Sequence, residues 1–344
     1  MKHFTIPIFV PHLGCPRQCS FCNQKTITGV RSMTPPAASR QIEAHLATIP
    51  RDAHVEIAFF GGSFTAIPRA EMEALLQAAA PYVASGQVSS VRTSTRPDAI
   101  DGDVLELLSH YGVKTIELGI QSTSPQVLSA CRRGHTTEDC YRAARLIVSR
   151  GFTLGGQMMI GLPSSSPADE VETARAIIAM GAKEARIYPV VVFADTPLAE
   201  DAAKGLYAPL TVAEAAERTV APMEILLDAH VKLLRVGLCE TESLHAPGQV
   251  VGGACHPAMG ELCYSALYRK RMREAISRLA LPKQSNLKIS VAPGKLSMAI
   301  GQKRCNDTTI RKEYALESLK IVEDPALVGF ELRVDLLSSE KGSS

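Results

Sequence analysis

The residues Cys15-Pro16-Arg17-Gln18-Cys19-Ser20-Phe21-Cys22 set three thiols in the spacing C-x3-C-x2-C. Thiolates are ligands for zinc and for iron–sulfur clusters, and each has its own arithmetic. A closed zinc site takes four ligands, commonly with C-x2-C pairs, and a ferredoxin-type cluster also takes four. Three thiolates on a four-iron cluster leave one iron without a protein ligand, and an open position on iron is a place for chemistry. Two plainer readings stand beside this one: three buried thiols, or a zinc site completed by His12. The other six cysteines, Cys131, Cys140, Cys239, Cys255, Cys263 and Cys305, show no ligand-like spacing and are expected to behave as small core side chains. A second cluster would have to draw on Cys239, Cys255 and Cys263.

The chain that carries this cluster has 344 residues, enough for about two domains at roughly 150 residues each. A hydrophobic fraction of 46% and a charged fraction of 21% exclude wholesale disorder. The N-terminus Met1-Lys2-His3-Phe4-Thr5 has no long apolar core, and no apolar run is long enough for a membrane span. The cytoplasm is the expected compartment, where thiols stay reduced and clustered cysteines point to metal or catalysis rather than disulfides. The net charge of +2 conceals an asymmetry: residues 264–320 hold 13 basic and 4 acidic side chains, net +9, which leaves −7 for the rest. A basic tail on an acidic body points to a polyanionic partner.

The elements that must position the cysteines alternate. β-rich runs at 4–10, 55–60, 88–94, 114–120, 153–160 and 186–192 are separated by helical stretches at 36–49, 69–85, 101–111, 136–150 and 167–180. This predicts a parallel sheet with covering helices. Polar or glycine-rich motifs follow nearly every strand: Gly14-Cys15, Gly61-Gly62-Ser63, Thr95-Arg96, Gln121-Ser122 and Gly161-Leu162-Pro163. A barrel would gather them at one mouth, whereas an open sheet would spread them along an edge. The expected fold is an α/β, partial (β/α)6 TIM-like barrel over residues 1–265, with a helix at 211–230 and a strand at 232–239. A small α+β basic module over 266–337 and a frayed end at 338–344 complete the chain.

The cysteine triplet resembles that of the radical S-adenosylmethionine (SAM) superfamily. The resemblance implies that Cys15, Cys19 and Cys22 hold a [4Fe–4S] cluster whose fourth iron binds SAM, and that reductive cleavage of SAM yields a 5′-deoxyadenosyl radical. Phe21 then packs near the adenine. Gly61-Gly62-Ser63 is similar to the segment that holds the SAM amino group, with Ser63 where an acidic residue is commonest. Ser94, Arg96, Gln121, Arg133 and Gln157 become polar partners for the ribose hydroxyls, the SAM carboxylate or the substrate, and Arg133 is the expected carboxylate clamp because a guanidinium is bidentate. The runs Thr95-Arg96-Pro97-Asp98, Glu117-Leu118-Gly119-Ile120-Gln121-Ser122, Arg133-Gly134-His135 and Met158-Met159-Ile160-Gly161-Leu162-Pro163 resemble the catalytic subunit of Elongator, which modifies the wobble uridine of tRNA. That subunit's acetyltransferase domain has no equivalent after about residue 265.

In the tail, residues 291–306 resemble the KH domains of bacterial transcription elongation factors. In KH modules a G-x-x-G loop between two helices clamps single-stranded backbone. The loop here is Gly301-Gln302-Lys303-Arg304, so an arginine stands at the second glycine. Lys295, Gly301, Lys303 and Arg304 are the expected RNA contacts. The expected partners are RNA, specifically tRNA, and a low-potential electron donor. The alternatives are a radical SAM enzyme on a small molecule such as a porphyrin precursor, or a non-catalytic iron–sulfur and SAM-binding protein.

Overall fold

The computed structural model describes residues 2–10, 15, 19–23, 27, 32–239, 244, 246–279, 281–282 and 284–337. His12, Gly14 and the 338–344 end lie outside the described residues. The chain divides into two compact units, Met1–Thr211 with Ala221–Pro257, and Val212–Val220 with Ala258–Ser344.

In the first unit, strands β1 (His3–Val10), β2 (His54–Gly61), β3 (Ser90–Thr95), β4 (Val113–Gln121), β5 (Thr153–Ile160) and β6 (Glu184–Pro189) run parallel in sequence order. A seventh strand, β8 (Lys232–Val236), adds to β6, so the sheet is a curled half-barrel of seven strands rather than six. The helices between them start where local chemistry directs. Asp101 accepts from the Val104 amide at 2.8 Å. Thr136–Asp139 and Ser166–Asp169 form reciprocal capping boxes that satisfy amides with no intrahelical partner. The 186–192 run, read as one strand, is two. At Val190 the chain leaves the main sheet, and β7 (Val191–Phe193) pairs antiparallel with β9 (Val250–Gly253). Both pieces are extended, and the partner that each pairs with is what separates them.

Strand alternation sorts the sheet into two faces. A Cβ on Gly156 would meet Ile177 of the helix Pro167–Ala179, whereas a Cβ on Gly155 would meet Glu117 Cγ at 2.9 Å. The helix-facing side is apolar, with Ile57, Phe59, Ile116, Leu118, Leu154, Met158 and Ile187 buried. The opposite, concave side is charged. Glu117 is 1% exposed. It accepts from Arg186 Nε at 2.6 Å, Arg92 Nη1 at 2.8 Å and Gln157 Nε2 at 3.0 Å. Arg92 also bonds Glu56 and Glu184, and Arg186 stacks its guanidinium 5.1 Å from the Phe60 ring.

The second unit has its own core. Strand β10 (Asn286–Val291) is flanked by parallel β11 (Ser318–Glu323) and antiparallel β12 (Leu332–Leu337). Tyr268, Met272 and Ile276 of the helix Met259–Ser277 pack with Leu287, Ile289, Val291, Ala299 and Ile310. The Gly301–Arg304 loop joins the helices Leu296–Ile300 and Cys305–Glu313.

Removing one member of a buried ion network strands the others without compensation, at about 3–5 kcal/mol. Glu117→Gln should therefore lower the urea midpoint by that equivalent. The two arginines hold the buried Glu117 carboxyl below its ordinary 4.5 against the opposing cost of burial. Its stabilising contribution is complete above pH 4.5 and is lost as pH falls through the lower folded value. The gap between wild type and Glu117→Gln should close over that range in urea melts.

Candidate functional site

The C-terminal ends of the parallel strands and the cysteine loop enclose a cavity of about 620 Å³. Cys15, Cys19, Cys22 and Phe21 line it together with Gly61, Gly62, Ser63, Ser94, Gln121, Arg133 and Gln157. These residues come from positions 15 to 157 of the chain. The parallel topology brings them together, because each strand delivers its terminal motif to the same end of the sheet.

The described part of the cysteine loop is pinned from two sides. The Ser20 amide donates to Cys131 O at 3.0 Å, and the Leu198 amide donates to Ser20 O at 2.9 Å. Asn23 Nδ2 reaches Ala194 O at 3.2 Å. Phe21 packs with Cys19, Val127, Leu162 and Leu198 in an apolar cluster at the base of the loop. Cys15 Sγ lies 3.8 Å from Ser63 Oγ. Among the described residues no three His, Cys, Asp or Glu side chains are grouped to hold a metal ion. A single zinc needs its thiolates about 2.3 Å from one point. A four-iron cluster gives each cysteine its own iron, and all three thiols line the same cavity. Burial pushes the Cys131, Cys140 and Cys263 thiols up to about 12, which keeps them protonated at neutral pH.

The polar residues of the cavity divide by their commitments. Gln121 sits at φ +67°, beside a register shift between Gly119 and Gln121 in the β4–β5 pairing. Its Oε1 is buried without a hydrogen-bond partner. A buried acceptor left unpaired costs about 1–3 kcal/mol, and a bound molecule with a donor at that point removes the cost. Ribose hydroxyls are such donors, so the residues present fit a nucleoside-bearing cofactor. Arg133 is 8% exposed. It donates Nη2 to Gly119 O at 2.7 Å and Nη1 to Cys19 Sγ at 3.3 Å. Arg96 does not line the cavity. It is 1% exposed and is held by Asp98 through two bonds of 2.9 Å and by Arg133 O at 2.7 Å. It thereby supports the Arg133 backbone.

Gly61 takes φ +113°, and a Cβ there would meet Val10 O at 2.8 Å. Its glycine is required by the β1–β2 junction itself, quite apart from any ligand. Sequence reasoning missed Asn23, Thr95, Gly119, Asp195 and Pro197, which also line the cavity. Thr95 and Gly119 lie inside motifs already singled out, and Asn23 follows the third cysteine. Asp195, at φ +57°, follows the short β7 and carries no signal in the sequence. Lys295, Gly301, Lys303 and Arg304 belong to the second unit. There Lys295 lies over the Phe330 ring at 4.6 Å, and Arg304 pairs with Asp307 at 2.9 Å. Gly301 is buried, and a Cβ on it would meet Cys305 Sγ at 2.5 Å and Ser265 Oγ at 2.7 Å. Lys303 and Arg304 are exposed and left-handed, at φ +51° and +59°.

Comparison with known proteins adds to this geometry. The profile of the Radical SAM superfamily matches residues 9–177, and that of the Radical SAM C-terminal domain matches residues 182–269. The tRNA uridine(34) acetyltransferase of Methanocaldococcus infernus is 27% identical over 183 residues, 52% of this chain and 33% of that protein. The heme chaperone HemW of Mycobacterium tuberculosis is 25% identical over 209 residues, 59% of this chain and 53% of that protein. The chain thus spans a third to about half of the length of these relatives. The structure of the archaeal M. infernus Elp3 with its N-terminus deleted superposes with a TM-score of 0.62 at 20% identity, over 83% of this chain and 70% of that one. It shares the fold.

Gly61→Ala should cost about 1–3 kcal/mol, from backbone strain and contact with Val10 together. Gly86→Ala is the control: it has φ +76° but no atom within 4 Å of the new Cβ. Thermal melts should show the larger drop for Gly61→Ala.

Proposed function

The chain belongs to the radical SAM superfamily, whose enzymes use a [4Fe–4S] cluster and SAM, and we propose that it is the RNA-modifying kind, with tRNA as substrate. In this reading Cys15, Cys19 and Cys22 hold the cluster, and the unpaired Gln121 Oε1 in the same cavity is the observation that carries the SAM site. When bound, the cluster and SAM together supply a 5′-deoxyadenosyl radical for hydrogen abstraction, given one electron from a low-potential donor. The protein's part is placement and exclusion. Phe21, buried against Leu162 and Leu198, offers an apolar wall for the adenine. The Gly61 and Gly62 carbonyls suit an ammonium, and Gln121 and Gln157 suit hydroxyls.

The tRNA half rests on the likeness to the tRNA uridine(34) acetyltransferase and on the second unit. There a β-α-loop-α-β run carries exposed Lys303, Arg304, Lys312 and Lys320. A second reading, a small tetrapyrrole-type substrate, is favoured by the likeness to HemW. Tight binding of haem by purified protein, with none of tRNA, would select it.

Anaerobically reconstituted protein given dithionite and SAM should release 5′-deoxyadenosine, read by chromatography. Cys15→Ala should release none, and equal product from both proteins would refute the cysteine assignment. In filter binding, tRNA affinity should fall steeply with salt. Replacing Lys303 and Arg304 by Ala should flatten the log–log slope by about 1.4, or 0.7 per lost single-strand phosphate contact.

A further inference from the structure

Arg133 is placed with more precision than a carboxylate clamp requires. Its amide donates to Leu128 O at 2.9 Å, and its carbonyl receives Arg96 Nη2 at 2.7 Å. Its guanidinium is locked by Nη2 on Gly119 O at 2.7 Å, which leaves Nη1 on Cys19 Sγ at 3.3 Å. Residue 119 must be glycine for this, since a Cβ there would stand 2.8 Å from Arg133 Nη2. Arg96 is oriented in turn by the two carboxylate oxygens of Asp98. A chain of hydrogen bonds thus runs from Asp98 through Arg96 and Arg133 to a cysteine sulfur. Its charges do not cancel. Arg96 and Arg133 are positive and Asp98 is negative. His135, beside them, is driven down to about 4 by burial and by the two arginines, so it is neutral at pH 7. One positive charge is left over, and it is aimed at the sulfur.

We propose that Arg133 is a positioning residue for the cluster itself, a donor to the Cys19 sulfur that eases one-electron reduction, rather than only a partner for the SAM carboxylate. The proposal rests on the reading that Cys19 is a cluster ligand. Reduction here is uptake of one electron from a low-potential donor such as dithionite, with no proton moved and no bond made. The electron adds negative charge to thiolate-bound iron. A hydrogen bond and a positive charge at the sulfur favour the reduced form, and hydrogen bonds to sulfur are among the factors that set these potentials.

The test is a mediated redox titration of reconstituted protein without SAM, followed by electron paramagnetic resonance. Arg133→Met should lower the reduced-to-oxidised ratio at a fixed potential about tenfold, equivalent to about 59 mV for one electron. Gly119→Ala, which crowds Nη2 but keeps the arginine, should shift it the same way by less. Asp98→Asn removes the compensating negative charge and should raise the ratio. This reversal of sign is not expected from a purely structural role. Iron and sulfide content reports separately on the cysteine assignment. Potentials of Arg133→Met and Asp98→Asn equal to wild type without SAM, alongside weakened SAM binding in Arg133→Met, would overturn the proposal and return Arg133 to the carboxylate.

Discussion

Glu117 lies inside the first unit with almost no access to water, and it stays charged because two arginines and an amide reach it. A parallel sheet normally buries both faces in apolar side chains. Here only the helix side obeys. The concave side is held open by groups that cannot collapse into an oily core, because each needs its partner at hydrogen-bond distance. Gly155 leaves the room that Glu117 occupies. Gln157 faces two ways: its amide holds Glu117, and the residue lines the cavity. The polar lumen therefore ends in the ligand pocket without a boundary between scaffold and site.

The same economy shows along the arginines. Arg96 and Arg133 have the same side chain; the first follows β3 and the second stands in the turn between the helices Pro125–Ala130 and Thr137–Ser149. One faces the cavity and the other is buried behind it. The difference lies in Asp98, two positions from Arg96, which captures its guanidinium and turns it toward the Arg133 carbonyl.

The cysteine loop, the strand-end motifs and the alternation of strands and helices were legible in the sequence because each is written in neighbouring residues. The β8 run was visible as apolar, but its membership in the main sheet was not, because pairing partners are far apart in the chain. The break at Val190 was missed for a similar reason: β7 pairs with β9, a segment far along the chain. The lumen network was missed because a Glu or Arg inside a strand reads as a solvent-facing position until its cross-strand partners are known. In the tail the loop was found from its glycine. The approach of Ser265 to Gly301 comes from a helix well before it in the chain and left no mark nearby.

The first unit's sheet runs from β1 to β8 without closing on itself. A full eightfold barrel pairs its first strand with its last, so its contents enter and leave by the mouth. In a half-barrel the space along the missing strands is bounded by something other than hydrogen-bonded backbone. Under the proposed function, such a boundary would let one residue of a polymer reach the cavity while the rest stays outside, so the size of the pocket would not set the size of the substrate.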